Sequence, residues 1–164
     1  MRGVPPTLFE KLMSAPAANL RSTSMSRLSL EQLKDTVAAD LEALLNTRAV
    51  ISEESLSEFP ECTRSIISYG LNDFAGLSLA SIDDRASICR SLERAIQRHE
   101  PRLRNVRASL DISQGSINKL NFAISAMLVV HESKEPVNFD AVLQPSNLQY
   151  SISSTRRAAV RMGE

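Results

Sequence analysis

"RHEPRLRNVRASLDI", residues 98–112, contains the change of period on which the fold turns. Before Pro101 the apolar residues recur at helical spacing. Ile88, Cys89, Leu92, Ala95, Ile96 and His99 fall on one face of a helix over 82–99. After Pro101 they alternate: Val106, Ala108, Leu110 and Ile112 are interleaved with Asn105, Arg107, Ser109 and Asp111, the pattern of a half-buried strand. Proline lacks an amide hydrogen and disfavours helix in the residue before it, so Pro101 stops the helix and launches the strand. Ser81 and Asp84 give a capping pattern at the helix start, and Asp83 and Asp84 sit at the positive end of its dipole. Arg94 and Arg98 lie in the last turns, where cations are favoured. Glu100 fits none of this: a carboxylate at a helix C-terminus opposes the dipole, so an arginine nearby or on a partner should compensate it.

Downstream, "SQGS" at 113–116 turns the chain, and Leu120, Phe122, Ile124, Ala126, Leu128 and Val130 make a second alternating run. "HESKEP" at 131–136 is the next turn. Val137, Phe139, Ala141 and Leu143 follow, then "QPSN" at 144–147, then Leu148, Tyr150 and Ile152. Strands joined by short turns form an antiparallel meander. Upstream, Ser29 and Gln32 make a capping box before a helix whose Leu30, Leu33, Val37, Leu41, Leu44 and Leu45 form an apolar stripe. Glu31, Lys34, Asp35 and Glu42 take the opposite face, and "NTR" at 46–48 ends it. Residues 49–80 read as a compact loop with Leu71, Phe74 and Leu77 tucked inward, and Thr63–Tyr69 as a helical turn or short strand. The expected class is α+β, with N-terminal helices packed on one face of a three- to four-stranded antiparallel sheet. Residues 1–27 read as a short helix at 7–13 plus a flexible linker, 28–154 as a single α+β domain, and 155–164 as a basic tail.

Lysine plus arginine and aspartate plus glutamate balance at 19 each, which argues against the chain as a whole binding nucleic acid. The charge is segregated nonetheless. From Glu31 to Glu61 eight acidic residues face only Lys34 and Arg48; from Arg85 to Arg107 seven arginines face only Glu93 and Glu100. Two electrically distinct faces are expected. Cys62 and Cys89 fit no metal or redox spacing and read as free thiols. The N-terminus lacks the apolar run of a secretion signal, and no stretch approaches the ~20 apolar residues of a membrane span, so a soluble intracellular protein is expected.

Candidate chemistry is sparse, and no cofactor or metal is expected. Glycoside hydrolysis needs two carboxylates roughly 5–9 Å apart across a cleft. Asp83 and Asp84 are better explained as helix caps. Glu93, flanked by Arg90 and Gln97, reads as a solvated helix face. No second acid is placed opposite Glu100. His99 continues an apolar stripe and reads as a core or boundary residue; His131 ends a strand beside a turn. There is no phosphate-binding glycine loop and no nucleophile elbow. Arg90, Arg94 and Arg98 line one helix face, and Arg102, Arg104 and Arg107 follow. They make either a solvated basic face or a docking surface for an acidic protein; interleaved aromatics for nucleic acid are missing.

The blocks "LEALLNTR" (41–48), "SYGLNDFAGLS" (68–78), "IDDRASICRSLERAIQRHEPRLRNVRASL" (82–110), "LNFAISAML" (120–128) and "VNFDAVLQPSNLQYSISSTRR" (137–157), in this order, resemble the TssE family of type VI secretion baseplate wedge components. "LFEKL" at 8–12 suits that family's opening helix. The most specific mark is Glu100-Pro101-Arg102 at the helix-to-strand junction; Ala49 and Asn72 stand where the family would have arginine and proline. The resemblance implies a structural protein of the bacterial cytoplasm, at the baseplate beneath the inner membrane. It implies docking through Glu100, Pro101 and Arg102, with Arg98 and Arg104 beside them, on the TssF–TssG wedge core, with TssK as a further partner. It also implies that the late strands template the sheath subunits TssB and TssC by strand addition. Arg102→Ala is then expected to leave the domain folded but weaken wedge binding. A lysozyme-like peptidoglycan hydrolase and a generic basic binding module remain the alternatives.

Overall fold

The computed structural model describes residues 29–74, 76–78, 81–111, 120–130, 133–144 and 146–155. The short helix expected at 7–13, the linker after it, the turn at 113–116, Ile112, His131 and the tail after Thr155 lie outside the described residues.

The first helix, α1, spans Leu30–Asn46. Its capping box is complete: Ser29 Oγ accepts from the Gln32 amide at 3.2 Å, and Gln32 Oε1 accepts from the Ser29 amide at 2.8 Å. The stripe buries Leu33, Val37, Ala38, Leu41, Leu44 and Leu45. Leu30 has the right spacing but sits in the first turn and stays exposed. A four-residue helix, α2, spans Glu53–Leu56, followed by two 3-10 turns at Pro60–Arg64 and Ile66–Ser68. The second long helix, α3, spans Ile82–His99 and buries Ile88, Leu92, Ala95 and Ile96. Its cap is one-sided: Ser81 Oγ accepts the Asp84 amide at 3.3 Å, while the Asp84 carboxylate takes the Ser78 amide at 2.9 Å.

Four strands follow: β1 Leu103–Asp111, β2 Leu120–Val130, β3 Ser133–Gln144 and β4 Gln149–Ser154. They form one antiparallel meander in the order β1-β2-β3-β4. The inward rows of Phe122, Ile124, Ala126 and Leu128 and of Val137, Phe139 and Ala141 are buried against the helices. Each large side chain so buried contributes about 1.5–3 kcal/mol. The other face carries Asn121, Ala123, Ser125, Asn138 and Asp140, of which all but the half-buried Asn121 are exposed, so the helices cover one face only.

One device is invisible in the alternating pattern. Arg104 pairs with Met127 and Arg107 with Ser125, so β1 spends one extra residue in a bulge. Asn105 takes a left-handed conformation there, φ 52°, which asparagine tolerates better than most residues. The bulge lets Leu103 and Val106, three apart, both point into the core.

Between α1 and α3 the chain is pinned by a parallel bridge, Arg48 to Leu71. The Ala49 amide donates to Leu71 O and the Leu71 amide to Thr47 O, each at 2.9 Å. Gly70 makes this possible: its φ is +117°, and a Cβ would stand 2.5 Å from Thr47 O. Leu71 is buried and Phe74 packs at the core's edge, as the sequence predicts. Leu77 does not tuck inward; it is 36% exposed. The turn closed by its amide on Phe74 O lifts it onto the rim of a cavity of about 110 Å³ lined also by Ile88, Phe122 and Tyr150.

Candidate functional site

At the α3–β1 junction, Glu100 is the C-cap of α3: its amide donates to Ile96 O at 2.8 Å, and its own carbonyl accepts from the Leu103 amide at 3.1 Å. Its side chain turns inward and is buried, 6% exposed as a residue. The compensation that the dipole argument demands comes from within the chain. Arg102 Nε donates to Glu100 Oε1 at 2.7 Å, a terminal nitrogen of the same guanidinium reaches Oε2, and the Arg102 amide donates to Oε1 at 3.1 Å. That terminal nitrogen also bonds the carboxylate of Asp40 on α1. Pro101, exposed and forced out of the helix, makes the reversal that folds Arg102 back on Glu100. The hydrogen bond to Glu100 is the main reason the Arg102 pKa lies above its usual value, against partial burial, with Asp40 adding to it.

The triplet is therefore a clamp tying the end of α3 and the start of β1 to α1. Of the five sequence-predicted docking residues, Pro101 and Arg104 are exposed, Arg98 and Arg102 half-buried, and Glu100 buried. Asp40 gave no sequence signal, being one acid among many on a polar helix face. Because Glu100 is buried and Arg102 is its partner, Arg102→Ala also strands a buried carboxylate, so a folded variant is expected to lose stability as well as binding. The basic face is also less open than its arginine count suggests, since Arg94 and Arg98 make intramolecular interactions and Arg107 lies 3.9 Å from Glu93.

His99, the last residue of α3, puts Nε2 2.9 Å from Ser68 O and packs its ring edge-on to Tyr69 at 5.3 Å. Burial lowers its pKa and the Arg98 charge adds to this, while the Ser68 carbonyl opposes it. It is a boundary residue tying residues 66–68 to α3, as its position on the stripe predicts. Cys62 and Cys89 are both free thiols.

The sheet edges hold the second arrangement. Along β1, Gln97 Nε2 donates to Val106 O at 3.4 Å and Glu93 Oε1 accepts the Ala108 amide at 2.9 Å. Burial pushes the Cys89 thiol pKa up, and the nearby Leu110 amide offsets part of that. Along β4, Asn46 forms a pair of bonds with the Tyr150 main chain, at 2.9 and 2.8 Å, and Glu42 Oε2 accepts the Ile152 amide at 2.8 Å. Asp35 Oδ1 accepts from Ser154 Oγ at 3.0 Å. On each helix two polar side chains four residues apart, Glu93 and Gln97 or Glu42 and Asn46, thus meet outward main-chain groups two residues apart, whereas Asp35 meets a side chain. Glu93 is not on a solvated face, as its charged neighbours suggested; its side chain is 17% exposed and serves β1. The available signal was that Cys89, Glu93 and Gln97 lie four apart, flanking the apolar stripe.

For hydrolysis the geometry is poor. Glu100 and Asp40 are bridged by one guanidinium rather than facing each other across a cleft, and Glu93 is engaged by Ala108. No group of three or more His, Cys, Asp or Glu among the described residues is arranged to hold a metal, and no helix there is long and apolar enough to cross a membrane. In a comparison with protein families, the family described as baseplate wedge protein gp25 matches residues 31–133, from the start of α1 into β3 and across the whole junction. No curated protein matches the chain.

Proposed function

Since the chain belongs to the baseplate wedge protein gp25 family, a family of structural baseplate components, we propose that it is the TssE-type wedge subunit of a type VI secretion baseplate, working in the bacterial cytoplasm beneath the inner membrane. It docks on the TssF–TssG core, with TssK as a further contact, through the surface around Glu100, Pro101 and Arg102 together with Arg98 and Arg104. Glu100 and Asp40 fix the orientation of Arg102, and Pro101 and Arg104 offer the exposed contacts. The observation that carries this reading is the family match spanning the clamped junction. Catalysis forms no part of it.

The sheet edges support a second part of this reading, templating of the sheath subunits TssB and TssC. Side chains satisfy the outward groups of β1 and β4 at a few positions only, so an incoming strand would replace those bonds with a continuous main-chain ladder. The test is co-purification of the wild-type chain and of Arg104→Glu with TssF–TssG, after circular dichroism establishes that both are folded. Recovery of wild type with loss in the variant supports docking at the junction. Equal recovery moves docking elsewhere, and failure of wild type to bind competent TssF–TssG overturns the type VI assignment.

A further inference from the structure

Residues 50–67 are poorly accounted for by the fold. The segment is a well-formed run of α2 and two 3-10 turns, held at one end by the Arg48–Leu71 bridge and at the other by His99 on Ser68. Yet among its described side chains only Leu56 is buried, while Val50, Ile51, Phe59, Ile66 and Ile67 are exposed at 93, 38, 59, 81 and 44%. Single exposed apolar residues need no explanation, but five within one short, pinned segment form the kind of surface that partners cover. The same segment is acidic: Glu53, Glu54, Glu58 and Glu61 are opposed within it by Arg64 alone. Glu54, Glu58 and Glu61 are exposed.

We propose that residues 50–67 form a second docking surface, for a partner segment that carries lysine or arginine beside aliphatic side chains. Charge complementarity selects that chemistry. A purely apolar occupant would leave three exposed carboxylates without a counterion at the rim, and an acidic one would be repelled. The surface is also continuous with the junction. Tyr69, just beyond it, feels the Asp40 and Glu100 carboxylates and packs on His99, so a protein docked at the clamp lies alongside this segment. The proposal rests on the baseplate reading for the identity of the partner, a neighbouring baseplate or sheath protein, but not for the chemistry of the surface.

The test uses the full chain and two probes, purified TssF–TssG and purified TssB–TssC. Phe59→Ser/Ile66→Ser removes the exposed anchors, and Glu58→Lys/Glu61→Lys reverses the rim. All four positions are exposed, so the fold should survive, and urea denaturation checks that it does. The expected result is that each variant binds one of the two probes at least about tenfold more weakly. Added salt should also weaken wild type more than the charge-reversed form. Hydrogen exchange should show protection of 50–67 in that complex. Wild-type affinity in both variants toward both probes overturns the inference while leaving the baseplate reading intact. Failure of wild type to bind either probe overturns the baseplate reading and, with it, this assignment of the partner. Concentration-dependent dimerisation that both variants abolish would assign the surface to a second copy of this chain and likewise overturn the inference.

Discussion

Arg102→Ala should cost stability out of proportion to the half-exposed look of the arginine. In wild type the Glu100 carboxylate takes three hydrogen bonds, two of them from the Arg102 guanidinium. The substitution leaves only the main-chain amide of position 102, and Glu100 is 6% exposed, so water replaces what is lost only in part. Breaking a buried pair by removing one member costs about 3–5 kcal/mol. The Arg102 side chain is 24% exposed, so solvent already screens one side of the pair, and the lower end, about 3 kcal/mol, is expected. Against a domain stability of about 5–15 kcal/mol the variant stays folded but weakened. With a urea m-value of about 2 kcal/mol/M, its unfolding midpoint should fall by about 1.5 M. Asp40→Ala is the control: Asp40 is 53% exposed, so its loss should cost under about 1 kcal/mol. Glu100→Gln/Arg102→Met should recover at least half of the deficit, because a neutral amide leaves no buried charge. A midpoint for Arg102→Ala within error of wild type, or an equal loss in Asp40→Ala, would refute the reasoning.

Tyr150→Phe should leave stability unchanged or raise it by about 1 kcal/mol, because the hydroxyl is buried with no hydrogen-bond partner. Burial also pushes its pKa up to about 12, so a tyrosinate signal below pH 10.5 in an absorbance titration of a Tyr69→Phe background would contradict the packing. Glu93→Ala should cost about 1–3 kcal/mol and speed hydrogen exchange at the Ala108 amide, since that donor loses its acceptor; unchanged exchange there would sink the edge-cap assignment. His99 has a folded-state pKa below its ordinary value near 6.5, so the unfolded chain binds the extra proton first as pH falls. Its contribution is present above pH 6.5 and is lost as pH drops from 6.5 through the depressed folded value. Urea midpoints measured from pH 7.5 to 5 should show a slope that His99→Gln flattens.

Much of the fold was legible because each element announces itself locally. The capping box at Ser29, the stripe on α1, the Pro101 break and the alternation from Val106 onward are nearest-neighbour signals, and α3 begins and ends where Ser81 and Pro101 place it. The Asn105 bulge was not legible, because alternation downstream of a bulge looks the same as alternation without one. Leu77 was misplaced because apolarity does not tell which way a turn faces. At the junction, the sequence showed that Glu100 needed a positive partner but not which one. The partner is Arg102, two residues on, and its second carboxylate, Asp40, lies 62 residues before it in the chain and is indistinguishable there from any other surface acid. Edge-capping side chains such as Asn46 and Glu42 were hidden for the same reason: their partners, Tyr150 and Ile152, lie more than a hundred residues away.

The pairing of helix side chains with strand main chain also sets a vernier. Four residues of helix advance about 6.0 Å along its axis, while two residues of strand advance about 6.8 Å. Between the two rungs Glu93 and Gln97 the two rulers slip by about 0.8 Å, by a third rung the slip is about 1.6 Å, and a fourth would be out by more than 2 Å, beyond hydrogen-bond tolerance. A helix lying along an edge can therefore shield only about three rungs of it, however long the helix grows. In this fold a flanking strand longer than that must leave one end unguarded, and the length of the edge strands becomes the variable that decides how much open main chain the sheet displays.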